Sequence, residues 1–342
     1  MSMLDKIIIE DLETIKAAFK AEYFRGKKVL ITGGAGFIGS WLSDVLVSSN
    51  ARVTVIDDFS TGRRTNLQQL IGHRNFELIE CDVCEFESRK KFDIIFHLAA
   101  HASPEEYLSK PIQTLQASSF GTANIAELAR KNDASLLFSS TSEVYGDAEI
   151  VPTPESYWGK VNPVGPRSCY DEGKRFSEAL LMAYYRQYGL DVRIPRIFNT
   201  YGPRLREDGL YGRALSRFIF QAVNNQPITV YGDGKQTRSF CYITDTVIAL
   251  LLVASELKAK GGVVNIGNPQ EMTIIELANR IKVLTKSKSP IIFMPLPKDD
   301  PKRRQPKTDK MKQLTGWEAQ IRFEEGVKRT IKWFFEKQNT IN

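Results

Sequence analysis

The sequence predicts an α/β fold: a Rossmann-type doubly wound parallel sheet with a smaller, interleaved C-terminal substrate-binding lobe. Three observations predict it. Short β-branched runs alternate with longer helical segments up to about residue 200, a glycine-rich turn joins the first run to the first helix, and Pro and Gly divide the later chain into shorter elements. Such alternation is typical of βαβ units, in which helices cover both faces of a parallel sheet. A chain of 342 residues is long enough to bury such a core.

The predicted strands and helices follow one another in a regular order. Six short apolar runs predict strands, at 29–32, 53–56, 76–79, 93–96, 136–138 and 192–194. Apolar residues at helical spacing predict helices over 37–49, 111–131 and 171–188.

An amphipathic helix is predicted ahead of the first strand, within 7–24, because apolar residues recur there at helical spacing with acidic residues between them. We expect it to pack on the outside of the domain or on a partner subunit. The chain then divides into this helical extension (1–26), a nucleotide-binding Rossmann domain (mainly 27–200) and a substrate lobe (mainly 201–342) interleaved with it.

Composition and charge exclude several classes of protein. No apolar run approaches the ~20 residues of a membrane-spanning helix, and acidic residues interrupt any leader pattern near residue 10, so we expect a cytoplasmic protein with no membrane partner. The formal net charge of +7 is spread along the chain without a nucleic-acid-binding motif, so we expect no nucleic-acid partner. One basic cluster is either a solvated face or a subsite for an anionic small molecule; it comprises Lys298, Lys302, Arg303, Arg304, Lys307 and Lys310.

The cysteines predict neither a disulfide framework nor a metal site. There are four of them, and the Cys81-x-x-Cys84 pair lacks the second pair or the His that would complete a zinc site. We therefore interpret them as structural thiols and expect no metal.

A dinucleotide site is predicted between the first strand and the first helix, where the chain reads Thr32-Gly33-Gly34-Ala35-Gly36-Phe37-Ile38-Gly39. Glycines let the backbone turn tightly and approach a pyrophosphate, which binds at the helix N-terminus. The second strand ends in Asp57, whose carboxylate would accept hydrogen bonds from the ribose hydroxyls and repel a 2′-phosphate, which favours NAD over NADP. Arg63 and Arg64 follow and could bind such a phosphate, so NADP stays an alternative. The predicted cofactor-binding residues are Gly33, Gly36, Phe37, Ile38, Gly39, Asp57, Asp82, Val83, Leu98, Tyr170 and Lys174.

The catalytic residues are predicted at the end of the fifth strand and the start of a following helix. Tyr170-x-x-x-Lys174 places both side chains on one helix face, and Thr141 precedes them at a strand end. An ammonium beside a phenol should lower the pKa of Tyr170 toward working pH, while the Thr141 hydroxyl holds a substrate oxygen. His97 and His101 are interpreted as core or loop residues, because the acid–base chemistry is already supplied.

Several further segments extend this pattern: Thr141-Ser142-Glu143-Val144-Tyr145-Gly146-Asp147, Tyr157-Trp158-Gly159, Val161-Asn162-Pro163, Cys169-Tyr170-Asp171-Glu172-Gly173-Lys174-Arg175, Arg196-Ile197-Phe198-Asn199-Thr200-Tyr201-Gly202-Pro203-Arg204, Tyr231-Gly232-Asp233-Gly234-Lys235-Gln236-Thr237-Arg238-Ser239-Phe240 and Asp300-Pro301-x-x-Arg304. With them the sequence resembles the extended short-chain dehydrogenase/reductases, also called the NAD-dependent epimerase/dehydratase family, and most closely the UDP-glucuronate decarboxylases, or UDP-xylose synthases. The resemblance spans about residues 27–335.

The resemblance implies a reaction and a set of substrate-binding residues. C4 of UDP-glucuronate is oxidised as Tyr170 removes the hydroxyl proton, the resulting β-keto acid loses CO₂, and re-reduction gives UDP-xylose. Asn199 and Arg238 would hold the diphosphate, and Arg304 would contact the diphosphate or the sugar carboxylate. Glu143 would orient the ring or carry a proton; its alternative role is to cap local backbone. The implied substrate-binding residues are Ser142, Asn199, Tyr231, Arg238 and Arg304.

Two segments depart from the family pattern. His101-Ala102-Ser103-Pro104-Glu105-Glu106 stands where the family usually reads Pro-Ala-Ser-Pro, and segment 206–217 is longer than usual, with Arg217 where an Asn is customary. The sugar-facing loop and the nucleoside base are therefore open to alternatives.

The main alternative to decarboxylation is that the protein is a UDP-sugar 4-epimerase. A 4,6-dehydratase is disfavoured because Ser142 stands where that family carries Asp, and a non-catalytic dinucleotide-binding protein is disfavoured because Tyr170 and Lys174 are both present.

A homodimer is also expected. In this family the helices 111–131 and 171–188 pair across a two-fold axis, and here their apolar content exceeds what one sheet face needs. The residues in question are Ile112, Leu115, Ile125, Leu128, Leu180, Leu181, Met182 and Tyr185.

Overall fold

The computed structural model describes residues 3–206 and 213–341. Its strands are β1 (Lys28–Thr32), β2 (Arg52–Asp57), β3 (Phe76–Glu80), β4 (Ile94–His97), β5 (Ser135–Phe138), β6 (Ser140–Thr141), β7 (Val192–Ile197), β8 (Thr200–Tyr201), β9 (Ile228–Tyr231), β10 (Thr237–Ser239), β11 (Cys241–Tyr242), β12 (Gly262–Ile266), β13 (Glu271–Thr273), β14 (Ile291–Met294) and β15 (Arg303–Arg304). Its α-helices are α1 (Met3–Ala17), α2 (Phe37–Ser48), α3 (Pro104–Ser109), α4 (Pro111–Gln116), α5 (Thr122–Asn132), α6 (Ser168–Tyr188), α7 (Ala214–Val223), α8 (Ile243–Ser255), α9 (Ile274–Thr285), α10 (Asp309–Thr315) and α11 (Phe323–Ile341).

The main sheet is parallel, in the order β12-β7-β5-β4-β1-β2-β3, with the short β6 also paired to β7. Neighbouring residues of its central strand β1 point to opposite faces and are both buried: Ile31 joins the core beneath α2 and α8, and Leu30 joins the core beneath α5 and α6. Both faces are therefore covered by helices, and the predicted doubly wound α/β fold is confirmed. Strand β12 extends the sheet from within the segment assigned mainly to the lobe.

Two predicted helices differ in their bounds. The N-terminal helix α1 ends at Ala17, and a separate 3₁₀ turn, Ala21–Tyr23, replaces the predicted continuation. The predicted helix over 111–131 consists of α4 and α5 joined by a π-helical turn, Ala117–Gly121, which packs against α6. A π turn widens the helix locally and is frequent near functional sites.

The apolar residues expected at a dimer interface separate into two groups. Ile125 and Leu181 lie fully buried in the chain's own core, so that part of the expectation is wrong. Ile112 and Leu115 on α4 are exposed, and Phe176 on α6 is exposed beside them.

The longer segment noted at 206–217 lies partly outside the described residues, since 207–212 are not among them. Within the described ranges, no helix combines the length and apolarity needed to cross a membrane.

Candidate active site

A cleft of about 710 Å³ opens at the carboxyl ends of the parallel strands. The glycine turn after β1, the ends of β2, β4 and β5, and the N-terminal half of α6 line one side of it; residues after β7 and around β9, β10 and 297–301 line the other. This is the expected ligand position in a doubly wound sheet, because loops leaving the strand ends diverge there.

The glycine turn is shaped for close approach of a ligand. Gly33 has φ of +68°, and a Cβ there would lie 2.9 Å from the backbone nitrogen of Ala99. A Cβ on Gly39 would lie 2.3 Å from the carbonyl oxygen of Gly33. Gly36 immediately precedes α2 and contributes no capping side chain, so the first N–H groups of Phe37 and Ile38 stay available at the cleft. The turn therefore provides an anion site for a pyrophosphate.

Asp57 ends β2 and braces the glycine turn. Its Oδ2 accepts a hydrogen bond from the Ala35 backbone N–H at 2.8 Å, and its Oδ1 accepts one from the Phe59 N–H at 2.9 Å. Burial raises the pKa of Asp57, and these two N–H donors counter that effect. Arg64 pairs instead with Glu80, and neither it nor Arg63 is among the described residues lining the cleft. The carboxylate is therefore placed to bind ribose hydroxyls, without an adjacent arginine for a 2′-phosphate.

The remaining predicted cofactor residues also reach the cleft. Asp82 and Val83 follow β3 and Leu98 follows β4, and all three line it. Asp82 Oδ1 accepts a hydrogen bond from the Cys84 N–H at 2.8 Å, which closes a tight turn after β3.

The two histidines near β4 have different surroundings. His97 is a core residue, held between the hydroxyls of Thr32 and Thr122 at 2.7 and 3.1 Å, and burial lowers its pKa to about 3. His101, in the loop that departs from the family pattern, lines the cleft.

Thr141, Tyr170 and Lys174 all line the cleft, with Tyr170 and Lys174 on α6 and Thr141 ahead of the 3₁₀ turn Ser142–Tyr145. The prediction that the pKa of Tyr170 is lowered is wrong for the protein without its ligands. Burial raises the pKa of Tyr170 to about 12, although hydrogen bonding to Thr141 opposes the rise. The Lys174 ammonium donates to the Ser139 carbonyl at 2.8 Å rather than to the phenol, and burial lowers its pKa to about 7.

Glu143 lies at the centre of a buried charge cluster beside these residues. Its Oε2 accepts a hydrogen bond from Arg304 Nη2 at 2.8 Å and also pairs with Arg167. Burial alone would raise the pKa of Glu143, but the two guanidinium groups hold it well below its usual range. Glu143 is therefore ionised near neutral pH.

Arg304 occupies a different place from the one the resemblance implied. Its side chain is 2% exposed and is not among the described residues that line the cleft. It binds Glu143 and the Gly146 carbonyl, and β15 pairs its backbone beside Arg238 on β10. Arg304 therefore belongs neither to a solvent-exposed basic surface nor to the wall of the cleft. It is a buried residue that supports Glu143. Lys298, Lys302 and Arg303 in the same basic cluster are exposed.

The other implied substrate residues do line the cleft: Ser142, Asn199, Tyr231 and Arg238. Arg238 Nη2 donates to Asp300 at 3.0 Å, and Asn199 donates to the Ser239 carbonyl at 3.3 Å. Arg217, which stands where the family has Asn, also lines the cleft, with its guanidinium carbon 4.8 Å from the centre of the Tyr231 ring.

Two residues of the site were missed by the sequence analysis. Arg167, just ahead of α6, links Glu143 to Asp171, whose Oδ2 lies 3.7 Å from its Nε. Tyr107, on α3, stacks on the Tyr170 ring with a centroid distance of 5.2 Å and an interplanar angle of 7°. An arginine one helical turn before the tyrosine was the available signal for Arg167; Tyr107 had none, since its contact depends on how α3 meets α6.

Comparison with known proteins identifies the family. Residues 30–330 match the profile of the family described as GDP-mannose 4,6 dehydratase. The chain belongs to that family. One relative is UDP-glucuronic acid decarboxylase 1 of Danio rerio, which is 50% identical to this chain over 309 residues. The match covers 90% of this chain and 72% of the relative. The predicted resemblance to the extended short-chain dehydrogenase/reductases, and to the decarboxylases among them, is confirmed.

Solved structures of the dehydratase family's fold superpose closely. A UDP-glucose 4-epimerase from Thermotoga maritima, solved with UDP-glucose, has a TM-score of 0.84 at 29% identity and covers 91% of this chain and 99% of its own. DesIV, a dTDP-glucose 4,6-dehydratase from Streptomyces venezuelae solved with NAD, has a TM-score of 0.83 at 26% identity. The match covers 92% of this chain and 98% of DesIV.

Proposed function

We propose that the chain binds NAD and converts UDP-glucuronate into UDP-xylose and CO₂. The observation that carries the proposal is the convergence, in one cleft, of the glycine turn, the Thr141, Tyr170 and Lys174 set, and Glu143 paired with two arginines. Its half-identical relative from Danio rerio is named a UDP-glucuronic acid decarboxylase, which supports the same substrate.

The residues around the glycine turn fit NAD. The turn and the start of α2 would hold its pyrophosphate, Asp57 its ribose, and Asp82, Val83 and Leu98 would border its adenine end. When bound, NAD supplies the hydride acceptor and donor for C4 of the sugar.

Tyr170 and Thr141 would handle the proton and the charge at the C4 oxygen. Tyr170, as the phenolate, would take the proton of the C4 hydroxyl and return it at the end, while the Thr141 hydroxyl donates to the same oxygen. A ketone at C4 lies β to the carboxylate on C5, so the electron pair of the bond to the carboxylate can pass into an enolate as CO₂ leaves. The enolate oxygen is stabilised by the same two donors, and C5 then takes up a proton.

Glu143 would orient the sugar ring rather than carry a proton. A carboxylate between Arg304 and Arg167, with its pKa well below the usual range, does not pick up a proton near neutral pH. It can accept a hydrogen bond from a sugar hydroxyl and so fix the ring over Tyr170.

A homodimer and a cytoplasmic location complete the proposal. The exposed apolar residues Ile112, Leu115, Phe120 and Phe176 form a patch across α4, the π turn and α6, and we assign it to a second copy of this chain, as the family resemblance implies. The location stays a prediction from the sequence.

The test of the proposed activity uses UDP-glucuronate that carries ¹⁴C in its carboxylate. Incubated with the NAD-supplemented protein, it should release label as CO₂ and leave UDP-xylose, whereas a Tyr170→Phe variant should release almost none. Retained label in a new C4 epimer would overturn the proposal in favour of a 4-epimerase.

A further inference from the structure

Tyr107 has an unusual position for a hydroxyl-bearing side chain. It lines the cleft, yet it is only 2% exposed, and its ring lies parallel to the ring of Tyr170. The guanidinium carbon of Arg167 lies 5.7 Å from the centre of the Tyr107 ring. The residue therefore stands directly beside the groups that would act on C4.

The hydroxyl of Tyr107 has no hydrogen-bond partner in the described part of the chain. Burying an unpaired hydroxyl is unfavourable, so a group of this kind at the wall of a cleft indicates a ligand atom that completes it. Burial raises the pKa of Tyr107 far above its ordinary value, with Arg167 opposing and Glu143 and Asp171 adding to the rise. The hydroxyl thus stays protonated and can act as a donor at every working pH.

We propose that the Tyr107 hydroxyl binds the C5 carboxylate of the sugar and so selects a uronic acid over a neutral sugar. The inference rests on the proposed function and deepens it. Because Tyr107 stacks on Tyr170, which would act at C4, its hydroxyl can reach a substituent on a carbon next to C4. The two ring carbons next to C4 are C3 and C5. C3 carries a hydroxyl, which can donate a hydrogen bond to Glu143, whereas C5 carries the carboxylate, which needs a hydrogen-bond donor.

A neutral donor suits a carboxylate that must leave as neutral CO₂. A free guanidinium would stabilise the reactant anion more than the transition state, in which charge moves toward the C4 oxygen. Of the nearby cations, Arg304 and Arg167 already bind Glu143, and Arg167 also faces Asp171. The Tyr107 hydroxyl, rather than either of these two guanidinium groups, would therefore hold the carboxylate.

Both proteins compared carry Tyr170→Phe, so that UDP-glucuronate is bound but not turned over, and the test compares ligands with and without a carboxylate on the NAD-loaded Tyr107→Phe variant. This change keeps the stacked ring and removes only the hydroxyl. By calorimetry, the Kd of UDP-glucuronate should rise about 10- to 150-fold, the scale of one hydrogen bond to a charged group, while the Kd of UDP-xylose stays within about twofold. An equal loss for both ligands, or no loss for either, would overturn the proposal.

A matched control is Tyr145→Phe. Tyr145 is also buried, but its hydroxyl donates to Asn265 at 2.7 Å and the residue is not among those described as lining the cleft. Its loss should lower the melting temperature and leave the ratio of the two Kd values unchanged. Tyr107→Phe should leave the melting temperature unchanged or raise it, because no bond in the free protein is lost; a clear drop would mean that the hydroxyl is structurally engaged.

This binding test is separable from the proposed activity. If the unaltered protein discriminates between the two ligands through Tyr107 but releases no CO₂, the decarboxylation proposal fails and the carboxylate site stands. If the protein releases CO₂ but its binding of the two ligands does not depend on Tyr107, the decarboxylation proposal stands and the carboxylate site fails.

Discussion

Asp57 and Arg304 are both buried charged residues, and each acts through other groups of the site. Asp57 accepts two backbone hydrogen bonds that shape the glycine turn, and Arg304 fixes Glu143 from behind the cleft wall. Removing one partner of such a contact leaves the other uncompensated, so the effect of a substitution should exceed the strength of the lost contact itself.

Asp57→Ala should weaken NAD binding by about 1–3 kcal/mol, because the charged hydrogen-bond acceptor for the ribose is lost. The backbone N–H groups of Ala35 and Phe59 also lose the carboxylate to which they donate. Asp57→Asn, which keeps an acceptor oxygen, should lose less. Fluorescence titration with NAD and NADP measures both. Tighter binding of NADP than of NAD to the unaltered protein would contradict the role given to Asp57.

Arg304→Ala should lower kcat/KM for CO₂ release by about 2–4 kcal/mol, some 30- to 1000-fold, while sparing NAD binding, because Glu143 then keeps only Arg167. Arg304→Lys should rescue only part, since an ammonium cannot bind Glu143 and the Gly146 carbonyl with a planar fork. In a Glu143→Gln background the same change should cost clearly less, which a double-mutant cycle reveals.

The matched control is Arg303→Ala, which removes the neighbouring exposed arginine and its pair with Glu271. It should change turnover by less than about twofold. Near-normal rates in both Arg304 variants would remove that residue from the supporting role assigned to it.

At the scale of elements, α6 and α1 illustrate what sequence patterns can predict. The glycine turn, Asp57 and the Tyr170 and Lys174 pair could be located because each depends on local spacing: a turn, a strand end, one helix face. The partner of Arg304 could not be predicted, because Glu143 lies 161 residues away in sequence and the two meet only in the folded chain. The end of α1 was misplaced because apolar spacing continues to Phe19 while the helix stops at Ala17.

The docking of α1 should depend on pH through Asp11. This carboxylate is buried between Tyr242 and Arg329, with Glu10 nearby, and burial raises its pKa to about 6. A raised pKa in the folded state means that Asp11 contributes most stability below about pH 4 and that this contribution is lost as the pH rises through about 6.

Relative to Asp11→Asn, which does not titrate, the free energy of unfolding of the unaltered protein should therefore fall by about 1–3 kcal/mol between about pH 4.5 and 7. Urea unfolding of both proteins at several pH values measures the difference. A difference that stays constant or grows with pH would show that Asp11 is not the buried, proton-binding acid described.

At the scale of the whole molecule, the proposed dimer would use the exposed patch of α4, the π turn and α6. Its side chains reach 66% exposure at Ile112, 65% at Phe120 and 49% at Phe176, which is costly in water unless a second copy covers them. α6 also carries Tyr170 and Lys174 on its buried side, so a dimer through this patch would stiffen the catalytic helix.

Phe176→Glu should convert the protein to a monomer in sedimentation at micromolar concentration, because a charge is placed at the centre of the apolar patch. Leu257→Glu, at an exposed leucine far from the patch in sequence, should leave the dimer intact. A monomeric unaltered protein would contradict the assembly.

The central claim is that one cleft oxidises C4, loses the carboxylate and reduces C4 again without releasing the sugar. The measurement that tests it most directly uses UDP-glucuronate deuterated at C4, incubated in ordinary water with catalytic NAD, followed by mass and NMR analysis of the product. We expect UDP-xylose that retains the deuterium at C4 and has two ordinary hydrogens at C5, one of them taken up in place of the lost carboxylate. Deuterium lost from C4, or a six-carbon product that retains its carboxylate, would contradict it.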